Sequence, residues 1–303
     1  MTPLRLLLVV LAAALACSSS FAGGAAFPAG PTDRSVKLDL IAKLERGPEI
    51  LILGDSRGRQ AEPAVLQRLT GHTGFNAAVT GGSAPDAWVF TRYTADLFPN
   101  QKRRYIWFVS QGLTSDIPDP RMEADPRGRR YLAEVKSLLS TQTVTANPWA
   151  TYTRYRPDGS IAGDLRGPSA AQAAAVRRQA AEIAARIAGH PPVVPPPDPM
   201  RFQLFEHLIA YMNGLGARPV IVLNPIYPTI LAALQKHGDR LTAATLAYLH
   251  SLGSRYDFVV VNCQDSHAWG GSDDDWTNTS HVDRANMRRM LRYVVSHSDG
   301  ALD

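Results

Sequence analysis

The chain has 303 residues, 45% of them hydrophobic and 19% charged, which is enough to bury a large core and too evenly mixed for a disordered, collagenous or coiled-coil protein. The formal net charge of +5 comes from 32 Lys and Arg against 27 Asp and Glu spread along the chain without a dense basic block, so a nucleic-acid partner is not expected. Two cysteines, Cys17 and Cys263, can build neither a disulfide framework nor a cysteine-rich metal site.

Arg5, an apolar run over residues 6–17 and the small residues that follow have the layout of a secretory leader. A run of about a dozen apolar residues is too short to span a bilayer. Residues 1–22 therefore read as a signal peptide, with cleavage after Ala16 or Ala22. Two alternatives are a lipoprotein with Cys17 as its acylated first residue and an uncleaved anchor. All three place the rest of the chain outside the cytoplasm, and the last two attach it to a membrane through its N-terminus. The Gly/Ala/Pro-rich residues that follow predict a flexible tether over 23–35, ahead of a domain over 36–298.

Five short apolar runs, at 49–53, 75–79, 105–109, 219–223 and 258–262, each fit a strand buried on both faces. More chain separates them than hairpins need, so parallel strands with helical crossovers follow, in a three-layer α/β domain. Helices are predicted over 63–69, 170–187, 201–212, 243–252 and 284–295. The proline-rich stretch after His190 is extended. Over a hundred residues separate the third and fourth runs, far more than a crossover requires, so about 113–200 contains an insertion. It is read either as a lid over the carboxyl ends of the strands or as a surface elaboration.

Two segments carry chemistry. The first predicted strand runs straight into Gly54-Asp55-Ser56-Arg57. A helix starting near Ser56 would set the serine oxygen where free backbone N–H groups favour developing negative charge, although Asp55 and Ser56 also suit a plain helix cap. The second is Asp273-Asp274-Asp275-Trp276-Thr277-Asn278-Thr279-Ser280-His281, ahead of an amphipathic helix. A serine nucleophile needs a base, and the base needs a third group to fix its tautomer. Asn278, three residues before His281, can converge with it across one turn. His281 follows the last strand and Ser56 the first, so a parallel sheet brings both to one edge.

Gly54-Asp55-Ser56, then Asn76-Ala77-Ala78-Val79-Thr80-Gly81-Gly82-Ser83, then a glycine after the third strand and a late histidine together resemble the GDSL/SGNH hydrolase superfamily. The likeness runs from about 48 to 295, apart from the insertion, and is nearest to exported bacterial members, some of which act in O-acylation of surface polysaccharides. It implies a flavodoxin-like fold with a five-stranded parallel sheet. It also implies Ser56 as nucleophile, His281 as general base, and an oxyanion hole from the Ser56 amide, the amide of Gly81 or Gly82 with Gly81 aligning better, and a third-block donor. The chain departs from the pattern twice. Thr114 in Gly112-Leu113-Thr114-Ser115-Asp116 stands where the family has asparagine, and Asn278 stands where it has aspartate. Losing an oxyanion donor costs roughly 3 kcal/mol of transition-state stabilisation, and an amide orients imidazole without the charge that stabilises imidazolium. Asp275, and after it Asp274, is the local carboxylate that could replace Asn278.

Arg57 and Tyr227, the latter in Asn224-Pro225-Ile226-Tyr227-Pro228, are candidate substrate contacts. Asp265 and His267 read as a surface or packing pair. Trp88, Trp107, Trp149 and Trp276 read as core before they read as sugar platforms. No cofactor or metal is expected, since three adjacent carboxylates at 273–275 cannot all point inward. The implied function is an exported serine esterase acting on an O-acyl ester of a small molecule or polysaccharide. The alternatives are an O-acyltransferase and a non-catalytic glycan- or envelope-binding protein.

Overall fold

The computed structural model describes residues 31–110, 116–142, 154–162, 167–190 and 202–303. The expected signal peptide over 1–22, Cys17, Gly112, Thr114, Trp149 and the proline-rich stretch after His190 lie outside the described residues. Five parallel strands, β1 (Ile50–Gly54), β2 (Gly74–Asn76), β3 (Arg104–Val109), β4 (Val220–Leu223) and β5 (Val259–Asn262), form a sheet in the order β2-β1-β3-β4-β5. All four pairings are parallel. The result is the flavodoxin-like three-layer fold, and its strand order reverses between β1 and β3. In open α/β sheets ligands bind at such a switch point, here at the carboxyl end of β1, where Ser56 follows.

Burial on both faces is what made the strands readable. Leu51, Leu53, Tyr105, Trp107, Ile221 and Leu223 belong to one core. Ile50, Ile52, Ile106, Phe108, Val220, Val222 and Val261 belong to the other. Side chains alternate across a strand, so each run supplies both layers in turn. The first core is covered by α1 (Asp33–Ala42), α3 (Ala84–Leu97), α5 (Pro126–Glu134, preceded by the short α4, Pro120–Ala124), α7 (Gln203–Gly214) and α9 (Arg240–Leu252). The second is covered by α2 (Pro63–Thr70), α6 (Ala170–Gly189), α8 (Pro228–His237) and α10 (Arg284–Ser296).

Several boundaries differ from the sequence reading. The tether does not reach residue 35, because Thr32 and Ser35 form a reciprocal capping box that starts α1 at Asp33. At the other end Leu302 is buried, so the core takes residues past 298. The run at 75–79 leaves the strand after Asn76 but keeps following β1, with the Ala77 amide donating to the Ile52 carbonyl at 2.8 Å and that of Val79 to Gly54 at 3.1 Å. The long connection between β3 and β4 supplies α4 to α7 and so builds parts of both outer layers. Val176, Ala180 and Ile187 of α6 are core residues. The bridge between Tyr155 and Ile161 holds a segment against β2, where the Asn76 amide donates to the Asp158 carbonyl at 2.9 Å. Among the described residues no helix is long and apolar enough to cross a membrane.

Candidate active site

Gly54 ends β1 at φ +137°, and a Cβ there would lie 2.5 Å from the Phe108 carbonyl oxygen on the neighbouring strand. Only glycine allows the chain to turn this sharply against β3. Ser56 does not start an α-helix, which corrects the sequence reading. A 3-10 turn over Gly58–Gln60 follows it, and α2 begins only at Pro63. Proline holds Glu62 extended and suits the first turn of a new helix, so the two elements cannot merge. A helix dipole therefore contributes nothing at Ser56.

Side chains fix the loop carrying Ser56 instead. The Asp55 carboxylate accepts from the Arg57 amide at 2.9 Å, from the Ser110 hydroxyl at the end of β3 at 2.5 Å, and from the Asn224 amide group at the end of β4 at 3.4 Å. Asn76, fully buried, donates to the carbonyls of Gly58 at 3.0 Å and Ala61 at 2.6 Å. Ser110 was not singled out from sequence, and Asn224 only as part of a turn. Neither carries a local signal, because each matters only through the strand end it occupies.

His281 is carried on a small antiparallel hairpin, β6 (Trp276–Asn278) and β7 (His281–Val282). Asn278 and His281 are the pair directly flanking its two-residue turn. Directly opposed residues share a face, which is why a spacing of three lets them meet. The Asn278 Oδ1 lies 2.9 Å from His281 Nδ1 and also accepts from the Ser280 amide at 2.9 Å. Accepting from a backbone N–H fixes which end of the amide faces the ring, so Nδ1 carries the proton. Nε2 is then the acceptor, and Ser56 Oγ lies 2.7 Å from it. Ser56, His281 and Asn278 thus form one hydrogen-bonded chain.

Burial, followed by the positive charge of Arg57, lowers the His281 pKa to about 4. Asp55 acts in the opposite direction and Arg59 adds to the lowering. Asn278 brings no charge that would offset the desolvation.

Other candidates are placed elsewhere. The Asp275 carboxylate pairs with Arg289, and its carbonyl accepts from the Asp283 amide and the Asn286 side chain, so it does not orient His281. Asp274 pairs with Arg177, and Asp273 with His267 at 3.0 Å. Asp265 caps the 3-10 turn at Ser266–Trp269. Asp275→Asn is expected to leave turnover within about twofold of wild type while lowering unfolding free energy by about 1 kcal/mol or less, as for a partly exposed ion pair. Urea unfolding and initial rates check both.

Tyr227 is 1% exposed, with its ring 5.2 Å from that of Trp276 in an edge-on arrangement and its hydroxyl on the Asp273 carbonyl. It supports the hairpin from beneath and lines no substrate surface. Arg57 also turns inward, donating to Asp55 at 3.0 Å, to Ser110, and to the Ser280 carbonyl at 3.3 Å. It ties the serine loop to the histidine hairpin, which replaces its reading as a substrate contact. Trp88, Trp107 and Trp276 are buried.

Gly81, at φ +62°, is exposed, with open space beside its Cα. Gly82 packs its Cα on the Gly54 carbonyl, where a Cβ would lie 2.2 Å from the oxygen, and its amide donates to Val79 at 3.0 Å. Gly82 therefore serves loop packing, which leaves Gly81 as the oxyanion candidate of the pair. Among the described residues no group of three or more His, Cys, Asp or Glu is arranged to hold a metal ion. No family model matches the chain, and no curated protein matches it.

Proposed function

We propose that the protein is a serine esterase of the SGNH type acting on an O-acyl ester, with an acyl-enzyme formed on Ser56. The observation that carries this reading is the continuous chain Ser56 Oγ, His281 Nε2, His281 Nδ1, Asn278 Oδ1 at 2.7 and 2.9 Å. The Ser56 hydroxyl attacks the acyl carbonyl as its proton passes to Nε2. The amides of Ser56 and Gly81, with Thr114, receive the oxyanion. Collapse expels the alcohol, which takes the proton from Nε2. Water, deprotonated in turn by His281, then attacks the acyl-enzyme, and as the Ser56 Oγ–acyl bond breaks His281 returns that proton to Oγ and the acid leaves. A sugar hydroxyl in place of that water gives acyl transfer through the same intermediate. The resemblance to exported family members favours an acylated carbohydrate as substrate, and the leader-like residues 1–22 favour a place outside the cytoplasm.

Fluorophosphonate labelling tests the reading. The protein purified without its leader is expected to gain one phosphonyl group, and peptide mapping is expected to place it on Ser56. Absence of labelling between pH 5 and 9 would overturn the enzyme reading in favour of a protein that only binds.

A further inference from the structure

Two basic side chains buried beneath the segment that follows β2, residues 77–83, point to a function for α1. Arg34 and Lys37 are both 0% exposed and lie one turn apart on one helix face. Burying cations this deeply is unfavourable unless every donor is matched. The Lys37 ammonium donates to the carbonyls of Asn76 at 2.8 Å and Ala78 at 2.6 Å, and lies 4.7 Å from the centre of the Tyr155 ring. The Arg34 guanidinium forks onto Asp86 at 2.7 and 2.8 Å and meets Asp33 at 3.3 Å and Asp119 at 3.2 Å. It also donates to the Thr80 carbonyl at 3.3 Å. The Thr80 amide, on the other side of the same residue, donates to Asp33 at 2.7 Å, and the Thr80 hydroxyl accepts from Arg59 at 2.6 Å.

We infer that Arg34 is a positioning residue that aims the Gly81 amide at the oxyanion; this rests on the esterase reading above. The link is the peptide between Thr80 and Gly81. No peptide bond among the described residues is cis, and in a planar trans peptide the N–H points opposite to the C=O. Arg34 holds the Thr80 carbonyl toward α1, so the Gly81 N–H is turned away from α1. A rotation of that one peptide would withdraw the donor. The same guanidinium reaches Asp119, a few residues beyond Thr114, and the Ser83 hydroxyl donates to the Ile117 carbonyl at 3.4 Å. One buried fork thus ties the Thr80–Gly81 peptide to the residues around Asp119. A lysine could match the charge but not the fork.

The test compares wild type with Arg34→Lys on a short-chain aryl ester, alongside urea unfolding to establish that the variant is folded. An oxyanion contact strengthens only in the transition state, so kcat is expected to fall at least about tenfold with KM within about twofold. The acid limb of the pH profile should stay where it is, since His281 and Asn278 are untouched. A folded Arg34→Lys protein with wild-type kcat, or a loss of rate that only tracks the unfolded fraction, overturns the proposal. A second measurement needs no variant. In wild-type protein carrying nitrogen-15 glycine, the Gly81 amide proton is expected to move downfield when Ser56 is phosphonylated; a Gly81 signal blind to the adduct overturns the proposal as well. Failure of wild type to label sinks the esterase reading, and this inference with it. Labelling with an indifferent Gly81 sinks the roles of Gly81 and Arg34 and leaves Ser56 as the nucleophile.

Discussion

Ser56→Ala is expected to reduce ester hydrolysis by at least about 10³-fold and to abolish fluorophosphonate labelling, while leaving the protein folded. The change removes one oxygen from a turn otherwise held by Asp55, Asn76 and Arg57, so nothing that shapes the loop is lost. His281→Ala is expected to cost about as much, because the serine hydroxyl is a poor nucleophile at neutral pH without an acceptor for its proton. The informative comparison is the double variant. Groups that act as one unit are strongly non-additive, so removing both should slow the reaction little more than removing either. Initial rates on an aryl ester, with thermal unfolding of each variant, decide the matter. Losses that multiply in the double variant would show that Ser56 and His281 act separately, despite the 2.7 Å between them.

Asn278→Asp is expected to raise turnover about ten- to a hundredfold, because it places a carboxylate against Nδ1 where the present amide, at 2.9 Å, supplies orientation alone. The pH profile should move with it. In the native protein burial and Arg57 hold His281 near 4, so the acid limb of kcat/KM should fall close to pH 4. An opposite charge at hydrogen-bond distance raises an imidazole pKa by about one to three pH units, so the limb of the variant should lie that much higher. Stability has the same origin. Because the folded pKa lies below that of a free histidine, the folded state binds fewer protons, and stability is lost as pH falls from about 6.5 toward 4. The variant should lose less over that range. A limb that stays near pH 4 with unchanged turnover would show that Asn278 is not the orienting group.

What could be read from the sequence follows from periodicity and order. The three central strands were legible because a strand covered on both sides must be apolar at every position, and the runs around Leu51, Trp107 and Val222 meet that condition, whereas the edge strands β2 and β5 end in Asn76 and Asn262. Helices α2, α6, α7, α9 and α10 were legible because each keeps one wet face. Three of the missed helices lack one of the usual signs. Helix α3 is buried almost all round, α1 begins on a Thr and Ser capping box without the usual Glu or Gln, and α8 starts on Pro228, the second of two prolines that read as a turn. The hairpin holding His281 is too short for any period to show.

By itself the sequence determined the parallel α/β architecture and marked Ser56, Asn278 and His281 as residue types suited to acyl chemistry. The tertiary structure decided how they are arranged: 225 positions separate Ser56 from His281, and only the strand order and the hairpin register bring them within 2.7 Å. It also decided against Asp275 and Tyr227, and revealed Arg34 and Lys37. The reason is common to all four. Whether a charged or aromatic side chain is free, paired or buried depends on groups that folding imports from far along the chain, such as Asp86 for Arg34, 52 residues away. No local pattern carries that information.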